Sequence, residues 1–152
     1  MIRVQQADFD IGAEIAALKA GRSDIGAIVS FIGTVRDQHG AVEEMMLEHY
    51  PGMTEAELTR IEQEANARWP LQASLIVHRT GALLPGDNIV LVVTASEHRD
   101  AAFDAARFLM DYLKTSAPFW KREQGPGGAR WVEADTKDGA AFSRWKKKHA
   151  TE

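Results

Sequence analysis

The run Ile89-Val90-Leu91-Val92-Val93 is apolar at every position, so a strand made from it has no side that can face water. It predicts a strand central in a sheet, and the rest of the chain must supply what covers it. The strand should extend from Asn88 to Ser96. A partner, Ala73 to Arg79, precedes it across Thr80-Gly81 and the turn Pro85-Gly86-Asp87.

The remaining elements follow from periodicity. Ile2-Arg3-Val4 can open as a short strand, and Asp10 can cap an Ala-rich helix that runs through Leu18 and stops at Gly21. Ile25, Ala27, Val29, Phe31 and Val35 alternate along one strand face, with Gly33 interrupting. Val42 to Tyr50 predicts a second long strand, Met45 and Leu47 facing one way and Met46 and Glu48 the other. Thr54-Glu55-Ala56-Glu57 has the form of a capping box with Met53 and Leu58 as a staple, followed by the stripe Leu58, Ile61, Ala65 as far as Pro70. A further helix is expected from about Arg99 to Lys114, burying Ala102, Ala106, Leu109, Met110 and Leu113. Phe119 to Glu123 and Arg130 to Glu133 then pair as a hairpin around Gly125-Pro126-Gly127-Gly128. This order predicts an α+β fold with a largely antiparallel sheet, as one domain over residues 1–135 with a polar, loosely held tail at 136–152.

Composition removes several function classes. Of the 152 residues 45% are hydrophobic and 26% charged, enough for a real core. The net charge of -4 gives no global attraction to nucleic acid or to an anionic membrane. No stretch of 18 apolar residues could span a bilayer, and Met1 to Gln5 lacks a signal-peptide core, so a cytoplasmic location is the expectation. There is no cysteine, which excludes disulfides, thiolate metal sites and a cysteine nucleophile. The five histidines show no ligand spacing, so no metal is expected, and no HExxH, P-loop, GxSxG or dinucleotide fingerprint occurs. No cofactor is expected either.

What stands out instead is a set of cations at element boundaries: Arg36, the pair His98-Arg99, Lys114, and Lys121-Arg122. Each has a plainer reading. Lys114 can complement a helix C-terminus, Lys121 and Arg122 can be exposed strand charges, and His98 a satisfied surface histidine. The His98-Arg99 pair is the least easily explained in this way, because it adds positive charge to a helix start that already favours an anion.

Five ordered segments resemble the large-subunit family of molybdopterin synthase. They are Gly33-Thr34-Val35-Arg36, then Leu47-Glu48-His49-Tyr50-Pro51-Gly52-Met53, His78-Arg79-Thr80-Gly81, Ser96-Glu97-His98-Arg99 with Ala102-Phe103, and the thirteen residues from Asp111 to Glu123, including Tyr112-Leu113-Lys114-Thr115-Ser116-Ala117-Pro118-Phe119-Trp120-Lys121-Arg122. The resemblance spans about residues 25 to 133; the basic tail Arg144-Trp145-Lys146-Lys147-Lys148 carries none of it.

The resemblance implies an α/β-hammerhead fold and a homodimer carrying a small ubiquitin-like subunit at each end, a 2+2 heterotetramer. It implies that a cyclic pterin phosphate receives two sulfur atoms from the C-terminal Gly-Gly thiocarboxylate of that subunit. The absence of cysteine then fits, since sulfur arrives on the partner. The implied substrate contacts are Thr34, Val35, Arg36, His98, Arg99, Lys114, Lys121, Arg122 and Glu123, with Thr34 standing where lysine is often expected. Arg36, His98 and Arg99 suit a phosphate and an incoming carboxylate-like tail. Lys114 is the implied principal catalytic residue and Lys121 its partner, because an amine among other cations has its charged form disfavoured. Two other classes stay open at this point: a non-catalytic pterin-phosphate binding module, and a scaffold that only docks a ubiquitin-like protein.

Overall fold

The computed structural model describes residues 1–132 and 143–146. Its elements are β1 (Ile2–Gln5), α1 (Ile11–Lys19), β2 (Ala27–Thr34), β3 (Glu44–His49), α2 (Met53–Arg68), β4 (Leu71–Arg79), β5 (Gly81–Leu83), β6 (Asn88–Ser96), α3 (Arg99–Thr115), β7 (Phe119–Gly125) and β8 (Gly128–Val132). The fold is α+β and largely antiparallel, as expected, but its strands divide into two four-stranded sheets, ordered β1-β4-β6-β2 and β5-β3-β7-β8. Only β1 and β4 pair in parallel among the described strands.

Strand β6, which carries the apolar run 89–93, lies inside the first sheet, with Val92 opposite Phe31 of β2 on one side and Ile76 of β4 on the other. Both of its faces are used. Leu91 and Val93 join Phe9, Leu75 and Val77 against Ile11, Ile15 and Leu18 of α1, while Val90 and Val92 join the larger core under α2, α3 and the second sheet. Burying one such side chain is worth about 1.5–3 kcal/mol, which accounts for the unbroken apolar run at 89–93.

Local expectations fare unevenly. Asp10 caps α1 as expected, its Oδ1 accepting from the Ala13 amide at 2.9 Å. The cap of α2 moves: the helix starts at Met53 with Gly52 before it, and the Glu55 carboxylate accepts from the Gly52 amide. Thr54 is instead buried, its hydroxyl accepting from the Tyr50 amide at 3.1 Å and donating to the Pro118 carbonyl at 3.2 Å. Met53 is exposed, so it forms no staple with the buried Leu58. A long-range bond to the loop before β7 thus outweighs the local capping pattern. Phe31 lies on the α3 side of the sheet and is 40% exposed because β2 is an edge strand, while Ile28 and Ile32 on the other face pack toward α1.

The tail expectation is corrected at one point. Trp145 packs edge-on against Trp69 and Phe108, its Nε1 donates to Asp111 Oδ2 at 2.6 Å, and Arg68 donates to its carbonyl at 2.7 Å. That aromatic joins the larger core, and Arg144 beside it lies 3.8 Å from Asp111; residues 136–142 and 147–152 of the tail lie outside the described residues.

Candidate functional site

A cavity of about 470 Å³ opens where the two sheets meet the C-terminal turn of α3. That volume is typical of small-molecule sites. Each wall has a local cause. Strand alternation on β7 sends Phe119, Lys121 and Glu123 to the cavity side and Trp120, Arg122 and Gln124 away from it. The end of α3 brings Lys114 to the rim, one turn beyond the buried Leu109 and the half-buried Met110. Arg36 enters just after β2, where Val35 locks the chain down: its amide donates to the Asp87 carbonyl at 2.9 Å and its own carbonyl accepts from the Gly86 amide at 2.8 Å.

The charges are layered. Arg36 and Lys114 are exposed at the mouth, Lys121 is half-buried, and Glu123 and His78 are buried at the back. Glu123 is already committed, accepting from Arg130 at 3.1 Å and from the Gln38 amide group at 3.2 Å. The cationic groups facing the cavity therefore exceed the uncommitted anionic ones, and an anionic molecule is favoured there. Gln38 sits in a tight loop in which Gln38, His39 and Gly40 all take positive φ, at 54°, 60° and 87°.

His78 was not a candidate from sequence, although it lies in one of the five quoted segments. It follows the apolar run Leu75-Ile76-Val77 and is 6% exposed. Its ring stacks on Phe119, and its Nδ1 lies 2.8 Å from the Arg79 carbonyl oxygen. Burial pulls the imidazole down to about 4, and the positive charges of Lys121 and Lys114 act in the same direction against the Arg79 bond. A histidine directly continuing an apolar strand segment, Leu75 to Val77, was the signal that could have found it.

Not every expected site residue reaches this cavity. Arg36, Lys114, Lys121, Glu123 and Thr34 line it. Val35 does not: it is 3% exposed and part of the core. Arg122 points outward, its guanidinium 5.9 Å from the Trp131 ring. His98 and Arg99 sit at the opposite end of α3, His98 with a side chain 85% exposed and its Nε2 3.8 Å from Glu97 Oε1. Fifteen residues of helix separate Arg99 from Lys114, roughly 22 Å along the axis. Within one chain those two cations cannot share the cavity with Lys114.

A two-sheet α+β frame with a cation-lined cavity at its seam and no thiol of its own is the frame of a small-molecule enzyme. The chain belongs to the MoaE protein family, whose profile matches residues 4–116. It is 58% identical over 147 residues to the molybdopterin synthase catalytic subunit of Mesorhizobium japonicum, covering 95% of this chain and 92% of that one. It is 60% identical over 146 residues to the protein of the same name from Ralstonia nicotianae, covering 95% and 83%. Among solved structures, the molybdopterin biosynthesis MoaE protein from Burkholderia ambifaria superposes with a TM-score of 0.84 at 54% identity, covering 97% of this chain and 99% of that one. Among the described residues no helix is long and apolar enough to cross a membrane.

Proposed function

We propose that this chain is the catalytic subunit of molybdopterin synthase, a sulfurtransferase of molybdenum cofactor biosynthesis. Its substrate is a cyclic pterin phosphate, and its sulfur donor is the C-terminal thiocarboxylate of a small ubiquitin-like subunit. Each of two transfers breaks the donor's C–S bond and forms a C–S bond at a pterin side-chain carbon that gives up a C–O bond, the oxygen leaving as water in one case and staying on the phosphate as its ring opens in the other, while water supplies the oxygen that converts each donor tail to a carboxylate. The observation that carries this reading is the convergence of Arg36, Lys114 and Lys121, from three separate segments, on one cavity of a chain that has no cysteine.

The layering suggests the division of labour. Arg36 at the mouth holds phosphate or the donor's terminal group by charge-assisted bonds. Lys114 acts on the thiocarboxylate as base or nucleophile, and Lys121, deeper, transfers a proton or stabilises the developing oxyanion. Glu123, tied to Arg130 and Gln38, supports the cavity wall beside Lys121, and Thr34 lines the same wall. The working assembly is a homodimer with one small subunit at each end, in the cytoplasm. In such a dimer His98 and Arg99 of one copy serve the cavity of the other, which reconciles their distance from Lys114 with a role in anion binding.

Reconstitution tests the reading. Purified chain, thiocarboxylated small subunit and pterin precursor should yield molybdopterin, while chain, precursor and inorganic sulfide without the small subunit should not. Efficient turnover on sulfide alone, or none with the charged partner, would overturn it.

A further inference from the structure

His78 has no assigned part in the chemistry above, yet its surroundings specify the ring completely. Phe119 fixes the plane by stacking at 3.7 Å between centroids, with the planes inclined by 15°. The 2.8 Å contact from Nδ1 to the Arg79 carbonyl fixes the rotation. A carbonyl oxygen can only accept, so Nδ1 carries the proton and Nε2 is left with a lone pair. With burial and two nearby cations opposing a second proton, the ring stays a neutral acceptor through the neutral pH range.

Lys121 is placed to use that acceptor. It follows Phe119 by two residues on the same face of β7, roughly 6.6 Å along the strand, so its side chain leaves the backbone beside the stacked pair. Of the two lysines it is the one whose charge acts more strongly on the imidazole. Both residues line the same cavity.

We infer that His78 is a positioning residue for the Lys121 amine: its Nε2 accepts a hydrogen bond from that amine and so sets the direction in which the amine meets substrate. Both groups line the cavity, so such a bond aims the amine from the cavity wall. The inference rests on the functional reading above, since it assigns His78 to the same transfer.

The test compares His78→Phe with His78→Gln in single-turnover molybdopterin formation by the full complex. Phenylalanine keeps the stack on Phe119 and has no acceptor; glutamine loses the stack and offers Oε1 in its place. One hydrogen bond is worth up to about tenfold in rate, so His78→Phe should fall about tenfold and His78→Gln should stay within about threefold of the parent. A purely structural role predicts the reverse order, and that order, or an unchanged His78→Phe, overturns the inference. An inactive parent complex would instead overturn the functional reading itself. A second measurement needs no His78 variant. Long-range proton–nitrogen NMR of the intact chain should show Nδ1 protonated and Nε2 bare, with the Nε2 resonance moving more in Lys121→Met than in Lys114→Met. A protonated Nε2, or one indifferent to Lys121, sinks the proposal.

Discussion

The ring of Phe119 lies against that of His78, 3.7 Å between centroids, and the contact joins the first sheet to the second at the back of the cavity. It also makes His78 an acid-sensitive point. In the unfolded chain the imidazole takes up its proton near 6.5, whereas in the folded chain it does so only near 4. Between these values the unfolded state binds the extra proton, so stability is full above pH 6.5, falls as pH drops toward 4 and levels off below. A shift of this size corresponds to up to about 3 kcal/mol. Thermal melting across pH 4 to 7 should show that slope, and His78→Gln should flatten it. An equal slope in the variant would show that His78 is not its source.

Lys114 is exposed at the end of α3 and carries little packing. Lys114→Ala should lower single-turnover sulfur transfer by at least about a hundredfold. Its melting temperature and dimer should stay essentially those of the parent. Lys121→Ala should also be severe. Near-normal turnover by Lys114→Ala, measured with preformed complex, would remove it from the catalytic role.

The separation of Arg99 from Lys114 along α3 makes a complementation experiment decisive. Arg99→Ala and Lys114→Ala homodimers should each be impaired. A mixed dimer of the two variants should regain activity, because one of its two cavities then combines an intact Lys114 with an intact Arg99 from the other copy. Differently tagged chains, co-purified and assayed, give the measurement. No recovery would place Arg99 outside the cavity in the assembly as it is in the single chain.

Trp145 closes an edge-on aromatic cluster with Trp69 and Phe108, and its indole N–H is bonded to Asp111 on α3. Removing a fully buried tryptophan costs about 3–5 kcal/mol, and Trp145 is half-buried, so Trp145→Ala should cost about 2–3 kcal/mol. Denaturant unfolding would read this directly; a loss under about 0.5 kcal/mol would mean that the docked tail contributes nothing to the core.

At Gly125 a Cβ would overlap the Ala41 carbonyl oxygen, a backbone atom that cannot swing aside. Gly125→Ala should therefore destabilise by about 1–3 kcal/mol. Because Glu123 lies two residues away on the same strand, it should also disturb the wall beside Lys121. Melting and precursor affinity measured together would show both effects, and a neutral substitution would show that the loop before β3 relaxes freely.

Period two and period 3.6, read along single segments, were enough to find the covered strand at 89–93, the cap at Asp10, the long helix that delivers Lys114 and the strand that carries Lys121 and Glu123. Those properties depend on neighbours within a few residues, where backbone geometry dictates which side chains share a face. The motif pattern likewise pointed to the right family and to a chemistry that needs no thiol of its own. Only packing between distant segments decided that the strands form two sheets, that β5 completes the second, and that Thr54 bonds Pro118 instead of capping its helix. It also decided that Val35 is core, that Arg122 turns away over Trp131, and that His98 and Arg99 end a helix length from Lys114. His78 stands in the sequence at the end of the apolar run Leu75 to Val77, but its meaning came from Phe119 and Lys121, about forty residues on. Such contacts leave no local mark, because the free energy that selects them comes from surfaces meeting across the fold and not from the preferences of either segment alone.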